Sequence, residues 1–180
     1  MPYNPTIHHR QSIRLKEYDY SQAGMYFVTI CVQNREHLFG KIINGEMMLN
    51  EAGKIVCEEW IKSAEIRREI EIHEYIIMPN HFHAIVEIVS TVGANGIRPD
   101  NSDNVGNSGE CHSPLRSPSK TLGALIRGFK SSVTKRLGFS PWQRNYYEQI
   151  IRNDQSHQDV ENYIINNPMN WKDDPYYEQF

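Results

Sequence analysis

Cysteine is scarce in this sequence. The three cysteines, Cys31, Cys57 and Cys111, are odd in number and far apart. They supply neither a disulfide framework nor a Cys-x-x-Cys metal site, so a reducing, cytoplasmic setting is the natural expectation. Long apolar runs are missing too. None approaches the roughly 20 residues that a membrane-spanning helix needs. The opening stretch MPYNPTIHHRQSIRLKEYDY contains no secretory hydrophobic segment. No internal repeat is visible. Acidic residues are absent from Ser119 to Tyr147, although the whole chain is mildly acidic, with a net charge of −3 and a pI of about 6.2. Lys120, Arg127, Lys130, Lys135, Arg136 and Arg144 fall inside that acid-free stretch, whereas Glu58, Glu59, Glu65, Glu69, Glu71 and Glu74 gather elsewhere. A locally basic surface can hold phosphates on a protein of negative net charge, and such binding weakens with salt. A solvated helix face is the competing explanation.

What is present suits one domain spanning 1–180 with a substantial core. Gly24 precedes the β-branched and aromatic run MYFVTICV, which reads as a buried strand. Strand-like segments at 38–43 and 46–49 flank Asn44-Gly45, a strong hairpin signal. Asn50 is placed to cap a helix whose apolar positions Ala52, Ile55, Val56 and Trp60 share one face. Two further strands are expected at 70–78 and 82–89, broken by Pro79-Asn80. The stretch 90–119 is rich in Gly, Ser, Asn, Asp and Pro and reads as a flexible insertion. Thr121 is a plausible N-cap for a helix in which Leu122, Leu125, Ile126, Phe129, Val133 and Leu137 recur at helical spacing, and Gly138 ends it. A short strand follows within 146–152. Ser156, with Asp159 three residues on, is expected to cap a last helix that runs to about Asn166, before Pro168. This order predicts an α+β sandwich, a mainly antiparallel sheet with helices packed on it.

Two local patterns carry chemistry. In His81-Phe82-His83 the imidazoles are two apart, so on a strand they face the same side and Phe82 the other. Two neutral imidazoles on one face make half of a divalent-metal site. Two polar side chains at a turn-to-strand junction would look the same. Tyr163 and Asn167 are four apart, hence on one helix face. There a phenol can be presented to a phosphate and an amide oxygen can complete a metal site. With Val160 and Ile164 nearby, Tyr163 also fits a packed aromatic. Tyr146 and Tyr147 are rival nucleophiles, or core or DNA contacts, and Trp142 is a candidate for base stacking or for the core.

GMYFVTI, MPNHFHAIVEI, WQRNYYEQIIRND and ENYIINNPMNW occur in this order. Together they make the chain resemble the REP-associated tyrosine transposases, within the single-tyrosine HUH transposases, over most of its length outside the insertion. The resemblance implies a ferredoxin-like or RRM-like HUH nuclease fold. It implies His81, His83 and Asn167 as ligands of Mg²⁺ or Mn²⁺, and Tyr163 as the nucleophile that forms a 5′-phosphotyrosine. Other single-tyrosine members carry Gln where this chain has Asn167. The implied substrate is single-stranded DNA with hairpin-forming palindromic ends, without any membrane partner, handled by a monomer or a homodimer. Arg127, Lys130, Lys135, Arg136 and Arg144 are then the candidate DNA contacts. Two rivals remain open: a non-catalytic hairpin-binding module, and a metal-dependent phosphodiesterase in which water attacks.

Overall fold

The computed structural model describes residues 22–89 and 121–177. The insertion expected at 90–119 lies outside them, as does Lys120. β1 (Gly24–Cys31) is followed by the β2 (Gly40–Ile43) and β3 (Glu46–Leu49) hairpin and by α1 (Glu51–Ile66). β4 (Ile70–Met78), β5 (His81–Ile88), α2 (Leu122–Leu137), β6 (Tyr147–Ile151) and α3 (Asp154–Asn166) complete the order. A 3-10 turn, Trp171–Asp173, lies in the tail. The main sheet has the order β4-β5-β1-β6, and each neighbouring pair is antiparallel. The fold is α+β, as expected. Among the described residues no helix is long and apolar enough to cross a membrane.

Strand alternation sorts the core into two faces. Tyr26, Val28 and Ile30 of β1 and Phe82, Ala84 and Val86 of β5 pack against Trp60 of α1 and Leu122, Leu125, Ile126, Phe129 and Val133 of α2. Trp60 meets Phe82 and Phe129 edge-to-face at 4.9 and 5.0 Å, and those two rings lie tilted 5.4 Å apart. Such pairs add to simple area burial. Trp142 belongs to this core, 5% exposed and 5.2 Å from the Phe39 ring, the packed role of the two expected for it. The opposite face is smaller: Ile85, Ile151 and Ile164 with Met25, Phe27, Ile76 and Val160. It is covered by α3.

Local signals hold at most helix ends. Asn50 accepts from Gly53 N at 3.0 Å, Thr121 accepts from Ala124 N at 3.2 Å, and Gly138 closes α2 at φ 79. The left-handed value suits a residue without Cβ. The cap of α3 differs from expectation. Asn153, not Ser156, is the N-cap: Ser156 N donates to Asn153 Oδ1 at 2.8 Å, and Asn153 N donates to Ser156 Oγ at 3.3 Å. Asn153 starts the helix three residues sooner and turns Ser156 into the reciprocal partner of the capping box. Asp159 is left to accept from Gln155 Nε2 at 2.9 Å.

Candidate active site

β5 carries His81 and His83 on the α3 side, and both are buried, at 0% and 1% exposure. Their ring centroids are 4.4 Å apart. Each ring is held from behind. His81 Nδ1 lies 2.8 Å from Asn80 Oδ1, and the Asn80 amide is oriented by donation from Nδ2 to the Tyr176 carbonyl at 2.9 Å. An amide oxygen only accepts, so Nδ1 carries the proton and the lone pair sits on Nε2. That Nε2 is buried and has no hydrogen-bond partner. His83 Nδ1 is 2.8 Å from Thr29 Oγ1 on β1, which leaves Nε2 facing α3. Burial, and then the Arg35 charge, lowers the His81 pKa to about 3. Burial, then His81 beside it, holds His83 well below the usual imidazole range. Both rings are therefore neutral at ordinary pH, the state a metal ligand needs.

α3 brings the second half. The Tyr163 hydroxyl stands 3.3 Å from His83 Nε2 and donates to Asp174 Oδ2 at 3.0 Å. Tyr163 is 36% exposed, and its ring meets His83 at 5.2 Å. Asn167 keeps helical angles, φ −56 and ψ −42, despite the following proline. It is buried at 3% exposure. Its Nδ2 donates to Asp174 Oδ2 at 2.7 Å, and its Oδ1 has no partner. An open cleft lined by Asn162, Tyr163, Asn166 and Asn167 runs beside the phenol.

The tail then folds back across the histidines. Tyr176 lies 4.8 Å from the His81 ring and Trp171 5.8 Å from it, and Arg35 sits over the Tyr176 ring at 4.8 Å. The same tail delivers Asp174, which sequence reading missed. Ligand atoms of His81, His83 and Asp174 lie within 4.8 Å of one another. Burial first, and the Asp174 charge second, push the Tyr163 phenol well above its usual pKa.

These residues fit a divalent cation on their own chemistry. Two buried acceptors without partners, His81 Nε2 and Asn167 Oδ1, sit beside a carboxylate and a second imidazole. An orphaned buried acceptor costs free energy, and a cation would satisfy it.

The candidate DNA contacts do not share this face. Arg127, Lys130, Lys135 and Arg136 belong to α2, in the layer across the sheet. Arg127 and Lys135 are exposed, as is Arg144 after the helix. Lys130 is engaged: its ammonium donates to the carbonyls of Gln143 and Asn145 at 2.9 and 2.8 Å, and burial lowers its pKa to about 8. Arg136 pairs with Glu58 and Glu59 of α1 at 2.7 and 3.1 Å. Tyr146 packs against the main core. Tyr147 is exposed opposite Thr29, with its ring 6.4 Å from Tyr176.

No family model matches the chain. An uncharacterized protein of Haemophilus influenzae is 41% identical to it, over 97% of each chain. Among solved structures, the REP-associated tyrosine transposase bound to a REP hairpin superposes with a TM-score of 0.60 at 18% identity, covering 94% of this chain and 78% of that one. The chain thus belongs to one family with the Haemophilus influenzae protein, and its α+β fold is that of the REP-associated tyrosine transposase.

Proposed function

We propose that the protein is a transposase-type DNA nicking-and-joining enzyme that uses Tyr163 as nucleophile and a divalent cation, Mg²⁺ or Mn²⁺, on single-stranded DNA with hairpin-forming ends. The observation that carries this reading is the convergence of the Tyr163 hydroxyl on His83 and Asp174, at 3.3 and 3.0 Å. The shared fold and the ordered motifs of the chain support it.

Tyr163 Oη attacks the scissile phosphorus. The Oη–P bond forms as the bond from phosphorus to the 3′-oxygen breaks, and a proton from solvent completes the released 3′-hydroxyl. The phenol starts protonated, because burial and Asp174 both oppose its ionisation. Its proton therefore has to leave during attack, and Asp174 Oδ2 is within reach to take it. Rejoining reverses the step: a 3′-hydroxyl attacks the phosphotyrosine and frees Tyr163. A cation held by His81, His83 and Asn167, with Asp174 alongside, would supply positive charge to the phosphate oxygens. Asn80 fixes the His81 ring so that its Nε2 lone pair points into the site, and Thr29 holds the His83 ring in place. Of the candidate contacts, Arg127, Lys135 and Arg144 are exposed and would meet phosphates of a hairpin stem. Lys130 and Arg136 already hold protein partners, which DNA would have to share or displace.

The test is a denaturing gel of the protein with labelled single-stranded DNA carrying hairpins from the gene's own flanks, with Mn²⁺. A covalent adduct is expected, mapping to the Tyr163 peptide by mass spectrometry and lost in Tyr163→Phe. An adduct on Tyr146 or Tyr147 would overturn the assignment. Cleavage without an adduct would mean that water attacks, and a native-gel shift alone would mean a binding module.

A further inference from the structure

α3 meets the sheet at a second cluster of ligating side chains, toward the opposite end of the helix from Tyr163. His73 and Glu74 of β4 and His157 of α3 bring two imidazole nitrogens and a carboxylate oxygen within 4.8 Å of one another. On a regular strand, adjacent side chains face opposite ways. Here the β4–β5 register slips between Ile72 and Tyr75. A bulge at that point re-aims side chains and lets His73 and Glu74 serve one site.

The pairing inside the cluster is uneven. His73 Nε2 lies 3.0 Å from Glu87 Oε2 on β5. A carboxylate only accepts, so Nε2 carries the proton and the Nδ1 lone pair is free. A carboxylate holding the outer nitrogen is the usual setting of a metal-binding histidine. His157 Nε2 is buried without a hydrogen-bond partner, and its ring is 5.8 Å from that of His73. The hydrogen bond to Glu87 accounts for His73 Nε2. It gives no account of the lone nitrogen of His157. All three side chains are half-buried, so an ion can enter from solvent.

We propose that His73, Glu74 and His157 form a second divalent-cation site, separate from the His81–His83 pair, that binds a zinc-type cation and pins the start of α3 to β4. Two imidazoles and one carboxylate with a position open to water is a donor set that suits zinc. His157 and Tyr163 are six residues apart on one helix, roughly 9 Å along its axis. A cation at His157 therefore steadies the helix that presents Tyr163. The site itself stands whether or not Tyr163 is a nucleophile.

The experiment is a Zn²⁺ titration of the full chain by equilibrium dialysis, with melting curves in parallel. Wild type is expected to bind two equivalents. His81→Ala/His83→Ala should keep one, and zinc should still raise its melting temperature. His157→Ala should lose one, and Glu74→Gln should weaken one site on the order of tenfold. Zinc binding in His157→Ala identical to wild type would overturn the proposal, as would no zinc bound by His81→Ala/His83→Ala that remains folded. Where His157→Ala or the double variant does not fold, Glu74→Gln decides: one weakened site supports the assignment, and unchanged affinity overturns it.

Discussion

The same strands build two unlike faces. Toward α1 and α2, alternate residues of β1 and β5 are apolar and fully buried. Toward α3, the intervening positions carry Thr29, His81 and His83, joined by Asn80, Asn167 and Asp174 as buried polar side chains. Some of the unpaired buried atoms differ in kind as well. On the apolar side, Trp60 and Trp142 each leave an indole N–H unpaired, which is a donor. On the α3 side, the unpaired atoms include His81 Nε2 and Asn167 Oδ1, which are acceptors. A cation can satisfy the second kind and not the first. One face therefore supplies folding free energy through close packing. The other spends part of it on groups that are useful only with a ligand.

Substitutions should separate the two faces. The largest effect expected is on chemistry. His83→Ala removes a buried imidazole from the α3 side, and covalent cleavage of single-stranded DNA should fall below detection while the protein stays folded by circular dichroism. Phe129→Ala, on the other face, should cost about 3–5 kcal/mol of stability through lost burial and a cavity. Below its lowered melting point, this variant should retain cleavage per folded molecule. The comparison breaks if His83→Ala unfolds the chain, or if folded Phe129→Ala is inactive.

Much of this division was legible beforehand. The two-residue spacing of His81 and His83 and the four-residue spacing of Tyr163 and Asn167 are backbone periodicities, so facing could be read directly. The caps at Asn50 and Thr121 and the Asn44-Gly45 turn are local chemistry of the same sort. Asp174 was not legible. It reaches the site by a tail that turns through Trp171–Asp173, and no period links it to Tyr163. Nor could charge counting show that Lys130 and Arg136 already have partners, because those partners come from other segments. The β4 bulge escaped for a related reason: register is a property of two strands, and His73 and Glu74 alone look like ordinary alternation. Asn153 and Ser156 both suit a cap, and the helix start was placed on the later of them.

Acid should distinguish the faces by a smaller margin. In metal-free protein, His81 resists protonation down to a pKa of about 3, against an ordinary value of 6.5. The unfolded chain takes up that proton below 6.5, and the folded chain does not until about 3. The stability is therefore fully present above pH 6.5 and is lost as pH falls toward 3. The slope is about 1.4 kcal/mol per pH unit, or roughly 2 kcal/mol by pH 5. His83 is shifted in the same direction and adds to the loss. Urea unfolding in EDTA at pH 7, 6 and 5 should show this decline, and His81→Gln should flatten it. Equal slopes in the two proteins would show that the loss arises elsewhere.

The smallest effect tests how independently α3 behaves. Ile164 is the fully buried residue of α3, whereas α2 buries Leu122, Ala124, Leu125, Ile126, Phe129 and Val133. A helix with so little packing depends more on its ends. Asn153→Ala removes the side chain that accepts from Ser156 N at 2.8 Å and should cost about 1 kcal/mol. Because the tie to the apolar face is thin, that loss should appear as local opening. Amide exchange in α3 should speed up on the order of fivefold, with α1 and α2 unchanged. Ser156→Ala gives up the reciprocal bond of the box, at 3.3 Å, and the exposed donation of its hydroxyl to the Asn153 carbonyl, at 2.9 Å; it leaves the Asn153 side chain capping the helix and should have a lesser effect. If Ser156→Ala is the more damaging variant, the helix begins at Ser156 after all. If Asn153→Ala speeds exchange equally in all three helices, α3 unfolds together with the apolar face and the two faces are one cooperative unit.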